Sequence, residues 1–146
     1  IIFTMPNSEI KKIIIINKIK NFIKKNKNFY FFKSLGQKNY FSVLNIIDLM
    51  VGNSSSGLLE MPPFKKATVN LGERQSGRIK ANSVISTKIQ SSYIIKAINK
   101  VYTKNFQKKI KKSTNPYGAG ETSKKIFEVL RKINFKNLIN KEFYDL

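Results

Sequence analysis

Asp48-Leu49-Met50-Val51-Gly52-Asn53-Ser54-Ser55-Ser56-Gly57-Leu58-Leu59-Glu60 is the stretch that decides how this chain folds. It reads as a buried strand, a turn of small residues and the start of a helix running to about Met61, where Pro62-Pro63 stops it. Asn53 or Ser54 is placed to cap that helix. Gly52 and Gly57 lack a Cβ, so backbone and ligand can approach closely. Backbone N–H groups at such a turn, together with the helix dipole, favour a phosphate. The plainer alternative is an ordinary capped helix.

On either side, strand and helix signals alternate. Ile1 to Thr4 is a short apolar run stopped by Pro6, and a helix from Glu9 to about Lys25 carries Ile13, Ile16, Ile19, Phe22 and Ile23. Phe29 to Phe32 is a strand, broken by Ser34-Leu35-Gly36, and Tyr40 to Ile47 forms a short helix. After the serine turn come strands at Ala67–Leu71, ended by Gly72, and at Ser83–Ser86. A helix capped by Ser91 or Ser92 carries Ile94, Ile95, Ile98, Val101 and Tyr102. Lys108 to Lys112 reads as a lysine-rich link. Asn115-Pro116-Tyr117-Gly118-Ala119-Gly120 is a turn, and Glu121 opens a last helix.

This alternation predicts an α/β fold: a Rossmann-like parallel sheet with helices on both faces, spanning residues 1–133. Residues 134–146 form a tail with some helical character. Ligands in such sheets bind at the carboxyl ends of strands, which is where Asn7, the serine turn and Arg74 all fall.

Composition narrows the chemistry. The 146 residues suit a single domain, and the absence of Cys and His excludes a disulfide frame, a thiolate zinc site and an imidazole base. A net charge of +20 raises the possibility of nucleic acid. The charge is nearly all lysine, however, and it is scattered rather than striped, as an AT-rich codon bias would produce. No apolar run approaches the roughly 20 residues of a membrane span, and no signal-peptide pattern opens the chain, so it reads as cytoplasmic. It begins without Met, inside a strand, and so reads as a piece of something longer.

Two further residue types give the serine turn its partners. Glu60 lies six residues beyond Ser54, roughly 9 Å along a helix, which matches the span from a diphosphate to the far edge of a ribose. A carboxylate there can accept from two vicinal hydroxyls. Arg74 and Arg78 are two of only three arginines, and a guanidinium fork grips phosphate or a base edge as lysine cannot. The competing readings are a solvated helix carboxylate for Glu60 and a surface ion pair for each arginine. Together they describe a nucleotide-sugar site.

The segments Val51–Gly57 with Glu60, Val69-Asn70-Leu71-Gly72-Glu73-Arg74-Gln75 with Gly77-Arg78, Asn82–Ile85 and Asn115–Gly120 resemble the C-terminal half of the UDP-N-acetylglucosamine 2-epimerase family, most closely its hydrolysing branch. The resemblance runs in order over nearly the whole chain. It implies the UDP-binding domain of a GT-B-like two-domain enzyme, homo-oligomeric when intact, with the reaction in the cleft between domains. UDP is lost by anti-elimination to a glycal, which is then hydrated to a 2-epimerised mannosamine-type sugar for nonulosonic acid synthesis. No metal and no cofactor is implied.

By the same resemblance Ser54 and Ser55, with Ser56, Gly52, Asn53 and Gly57 around them, hold the diphosphate. Glu60 takes the ribose and Arg74 the nucleotide, while Asn7, Gln75 and Arg78 lie near the substrate. The catalytic carboxylates belong mainly to the N-terminal half, so this chain alone is expected to bind UDP weakly and catalyse nothing.

Two positions depart from the commoner pattern. The Thr-x-His after the first strand reads Thr4-Met5-Pro6-Asn7 here, which resembles the sialic and legionaminic acid branch and implies a UDP-diacetylbacillosamine substrate. The frequent Tyr-Gly-Asp-Gly reads Tyr117-Gly118-Ala119-Gly120. The competing functions are the donor-binding half of a GT-B glycosyltransferase, a small basic nucleic-acid-binding protein and a decayed gene fragment.

Overall fold

A computed structural model describes residues 1–6 and 12–135. Strands and helices alternate as β1 (Ile2–Thr4), α1 (Lys12–Lys24), β2 (Tyr30–Phe32), α2 (Gly36–Ile46), β3 (Leu49–Gly52) and α3 (Ser56–Leu59). A 3-10 turn at Pro62–Phe64 leads to β4 (Ala67–Leu71) and β5 (Val84–Thr87), followed by α4 (Ser91–Val101), α5 (Lys104–Lys111) and α6 (Thr122–Lys132). Asn7, the start expected for the first helix and most of the tail lie outside the described residues.

The fold is α/β and every strand pair is parallel. The strands form two ladders, β1–β2 and β3–β4–β5, where the alternation led us to expect one sheet. Alternation dictates parallel crossover connections, but it does not dictate that all five strands share one set of hydrogen bonds.

β4 is the centre of the larger ladder and is buried on both faces. Ala67 and Val69 point one way, into a core with Ala97 and Val101 of α4 and Phe106 and Ile110 of α5, edged by Leu49, Leu71, Ile85 and Ile98. Thr68 and Asn70 alternate to the opposite face, where α3 packs. The β1–β2 ladder is covered by α1 through a ring cluster in which Phe22 meets Phe3 at 6.4 Å and Phe29 at 5.1 Å.

α5 corrects the expectation of a lysine-rich link. Lys108, Lys109 and Lys111 project outward while Phe106 and Ile110, four residues apart, are buried. Thr103 caps the helix, its side chain accepting from the Phe106 N–H. The lysines obscured a two-residue apolar stripe that is sufficient once a core lies beneath it. By contrast α6, which carries the expected apolar spacing, buries none of its residues within the described chain.

Candidate functional site

The serine turn leaves the carboxyl end of β3, and the Gly72–Arg78 loop leaves the carboxyl end of β4. Register places Gly52 directly beside Asn70, so the two loops emerge side by side from neighbouring parallel strands. Gly72 takes φ of +67°, which turns the chain sharply off the strand.

From Ser54 to Met61 the backbone is wound in helical bonds, including Leu58 N–H to the Ser55 carbonyl at 2.9 Å and Glu60 N–H to the Ser56 carbonyl at 2.8 Å. The regular part of α3 is a single turn, and its N-cap is Ser55 rather than Asn53 or Ser54. Ser55 makes no side-chain cap bond. Instead the Ser54 hydroxyl accepts from the Ser56 N–H at 3.3 Å.

The two glycines of the turn differ. A Cβ on Gly52 would meet nothing within 4 Å, leaving that backbone open to close approach. A Cβ on Gly57 would lie 2.6 Å from Thr68 Cγ2, so the room beside this glycine is taken by β4 and not by a ligand. The Thr68 hydroxyl donates to the Gly57 carbonyl at 2.7 Å. Gly57 is therefore the contact that lets α3 lie close on the sheet.

Glu60 is half-buried and accepts from the Ser56 hydroxyl, which also meets the Tyr40 hydroxyl of α2. Tyr40 was not among the residues singled out from sequence; it lies sixteen positions before Ser56 and only the folded chain brings the two together. Burial, with the nearby Glu60 charge, holds its phenol above the ordinary value near 10. Next to it, Phe41 stacks on Phe64 at 6.1 Å and ties α2 to the 3-10 turn that follows α3.

Gln75 is buried, and its Nε2 donates to the Asn53 carbonyl at 2.8 Å. It thus links the loop after β4 to the serine turn. Its Oε1 and the Oδ1 of Asn70 are buried acceptors without a partner among the described residues. Arg74 and Arg78 are exposed on the same loop, and Ser54 is exposed at the tip of the serine turn. The Asn115–Gly120 turn reaches this loop too, the Tyr117 hydroxyl donating to the Ile79 carbonyl at 2.8 Å. Among the described residues no helix is long and apolar enough to cross a membrane.

A serine turn, a held carboxylate and exposed arginines thus stand at adjoining strand ends of a parallel α/β unit, the place where ligands of such folds bind. The profile of the UDP-N-acetylglucosamine 2-epimerase family matches residues 1–131, and the chain belongs to that family. Its similarity is to the hydrolysing branch. It is 34% identical over 146 residues to the polysialic acid biosynthesis protein P7 of Escherichia coli, covering 99% of this chain and 37% of that protein. It is also 34% identical over 148 residues to the GDP/UDP-N,N'-diacetylbacillosamine 2-epimerase (hydrolyzing) of Campylobacter jejuni, covering 100% of this chain and 38% of the relative. The UDP-N,N'-diacetylbacillosamine 2-epimerase (hydrolyzing) of Legionella pneumophila is 35% identical over 101 residues, covering 69% of this chain and 26% of its own length. The chain thus spans under two fifths of the length of these curated relatives.

Proposed function

We propose that this chain is the UDP-binding part of a hydrolysing UDP-sugar 2-epimerase. One observation carries the reading: the Glu60 carboxylate is held beside the serine turn at the carboxyl end of β3, next to the arginine loop that leaves β4. The names of the relatives, two of which act on diacetylbacillosamine nucleotides, favour a UDP-diacetylated sugar as substrate.

In this reading Ser54, Ser55 and the open backbone at Gly52 and Asn53 take the diphosphate. Glu60 accepts from the ribose hydroxyls, and Arg74 contacts the nucleotide with its planar fork. Arg78, exposed on the same loop, is assigned to the sugar. Ser56 has a different task, because its only proton goes to Glu60. Gln75 sets the turn through Asn53, and Gly57 seats it on β4. The domain retains the leaving UDP as its bond to the sugar carbon breaks. The acid–base steps of elimination and hydration fall to carboxylates of the other domain of a GT-B-like enzyme.

Calorimetric titration of the 146-residue chain with UDP tests this. Binding should be measurable, and Glu60→Ala or Arg74→Ala should weaken it at least tenfold, the scale of one lost hydrogen bond to a charged group. Unchanged affinity in both variants would defeat the site assignment, and salt-sensitive DNA binding stronger than UDP binding would overturn the function.

A further inference from the structure

Tyr40 stands on α2, outside both loops that define the nucleotide site, yet its hydroxyl reaches into the serine turn. The direction of that contact follows from counting protons. Ser56 has one hydroxyl proton and donates it to Glu60 Oε2. Its oxygen can then only accept from Tyr40, so the order is Tyr40 O–H to Ser56 Oγ, and Ser56 O–H to Glu60. Each bond polarises the next, which strengthens a relay ending on a charge.

We propose that Tyr40 is a positioning residue for Glu60, acting through Ser56 to aim the carboxylate at the sugar hydroxyls of a nucleoside diphosphate. This rests on the reading of Glu60 given above. The geometry supports it in three ways. The relay engages Oε2, and a carboxylate with about four acceptor sites retains capacity for two vicinal hydroxyls. The relay crosses from α2 to the turn after β3, so it fixes a side chain that its own one-turn helix would leave with several rotamers. Finally, α2 is itself pinned there by the Phe41–Phe64 stack, which gives the tyrosine a fixed base.

Tyr40→Phe removes one oxygen and keeps the ring that lies 5.9 Å from Phe41. Titrating the 146-residue chain with UDP and with 2′-deoxy-UDP reads the aim of the carboxylate directly. The unaltered chain should prefer UDP roughly tenfold, the effect of one hydroxyl on a carboxylate. In Tyr40→Phe that preference should fall to about threefold or less, with affinity for the deoxy nucleotide little changed. Ser56→Ala should act in the same direction, since it cuts the relay at its middle. Thermal unfolding of each variant shows that the chain is still folded.

A wild-type preference in Tyr40→Phe, or an equal loss for both nucleotides, overturns the proposal. Glu60→Gln separates the two claims. If it abolishes the preference while Tyr40→Phe retains it, only the role of Tyr40 falls. If it leaves the preference intact, or the unaltered chain fails to bind UDP, the underlying reading fails and takes this one with it.

Discussion

Gln75 Nε2 donates to the carbonyl oxygen of Asn53 at 2.8 Å, joining the loop after β4 to the turn after β3. The two residues are 22 positions apart, and the side chain that joins them is buried. The shape of the serine turn therefore depends on a residue from the neighbouring loop.

Gln75→Leu keeps most of the volume and removes the donor. The Asn53 carbonyl loses its partner, at a cost of about 1–2 kcal/mol in chemical denaturation, moderated because the unpartnered Oε1 is removed as well. UDP affinity should fall several-fold in the same variant, and an affinity equal to that of the unaltered chain would show that the turn holds its shape without the clasp.

Gly57→Ala drives a methyl to 2.6 Å from Thr68 Cγ2 on a buried strand. Overpacking of this kind costs about 1–3 kcal/mol. Thr68→Ser removes the methyl that clashes and retains the hydroxyl that donates to the Gly57 carbonyl. The double variant should accordingly recover stability relative to Gly57→Ala alone, and a double-mutant cycle measures that coupling.

Phe106→Ala tests whether α5 belongs to the core. Its ring is 7% exposed and packs with Val69, Val101 and Ile110. Truncation should cost about 3–5 kcal/mol. Against the total of about 5–15 kcal/mol typical of a domain, that is a large share and should be evident as an early thermal transition. Lys108→Ala, on the exposed face of the same helix, should shift the transition hardly at all.

Alkaline pH provides a further check on Tyr40. Its phenol is held above the ordinary value near 10 by burial above all, with the Glu60 charge adding to the rise and the Ser56 hydrogen bond partly offsetting it. The unfolded chain therefore gives up this proton at lower pH than the folded one. The contribution to stability is complete below pH 10 and is lost as pH rises through the folded value. Denaturation measured from pH 9 upward should show a steeper loss in the unaltered chain than in Tyr40→Phe, and parallel curves would contradict the burial of the hydroxyl.

Much of the framework was legible from residues alone. Asp48–Val51 and Ala67–Leu71 are short apolar runs closed by glycine, and they became β3 and β4 with little change of boundary. The serine turn and the Gly72–Arg78 loop were placed correctly at strand ends, because in a parallel sheet all carboxyl ends lie on one side. Less was legible where neighbours decide. α5 was hidden because lysines outnumber its two buried apolar residues, and Gly57 was read as making room for a ligand when its room is filled by Thr68.

What this sequence determines by itself is the alternation of elements, the family and the residue types of the candidate site. These follow from local spacing, small residues and charge, each of which acts within a few positions of the chain. The tertiary structure alone decided that Gln75 clasps Asn53, that Thr68 seats Gly57 and that Tyr40 reaches Glu60 through Ser56. Apart from the Ser56–Glu60 step, four positions apart, those contacts join residues 11 to 22 positions apart, so no local pattern encodes them. They arise when parallel strands bring their carboxyl-end loops and flanking helices together, and buried polar groups must find partners there.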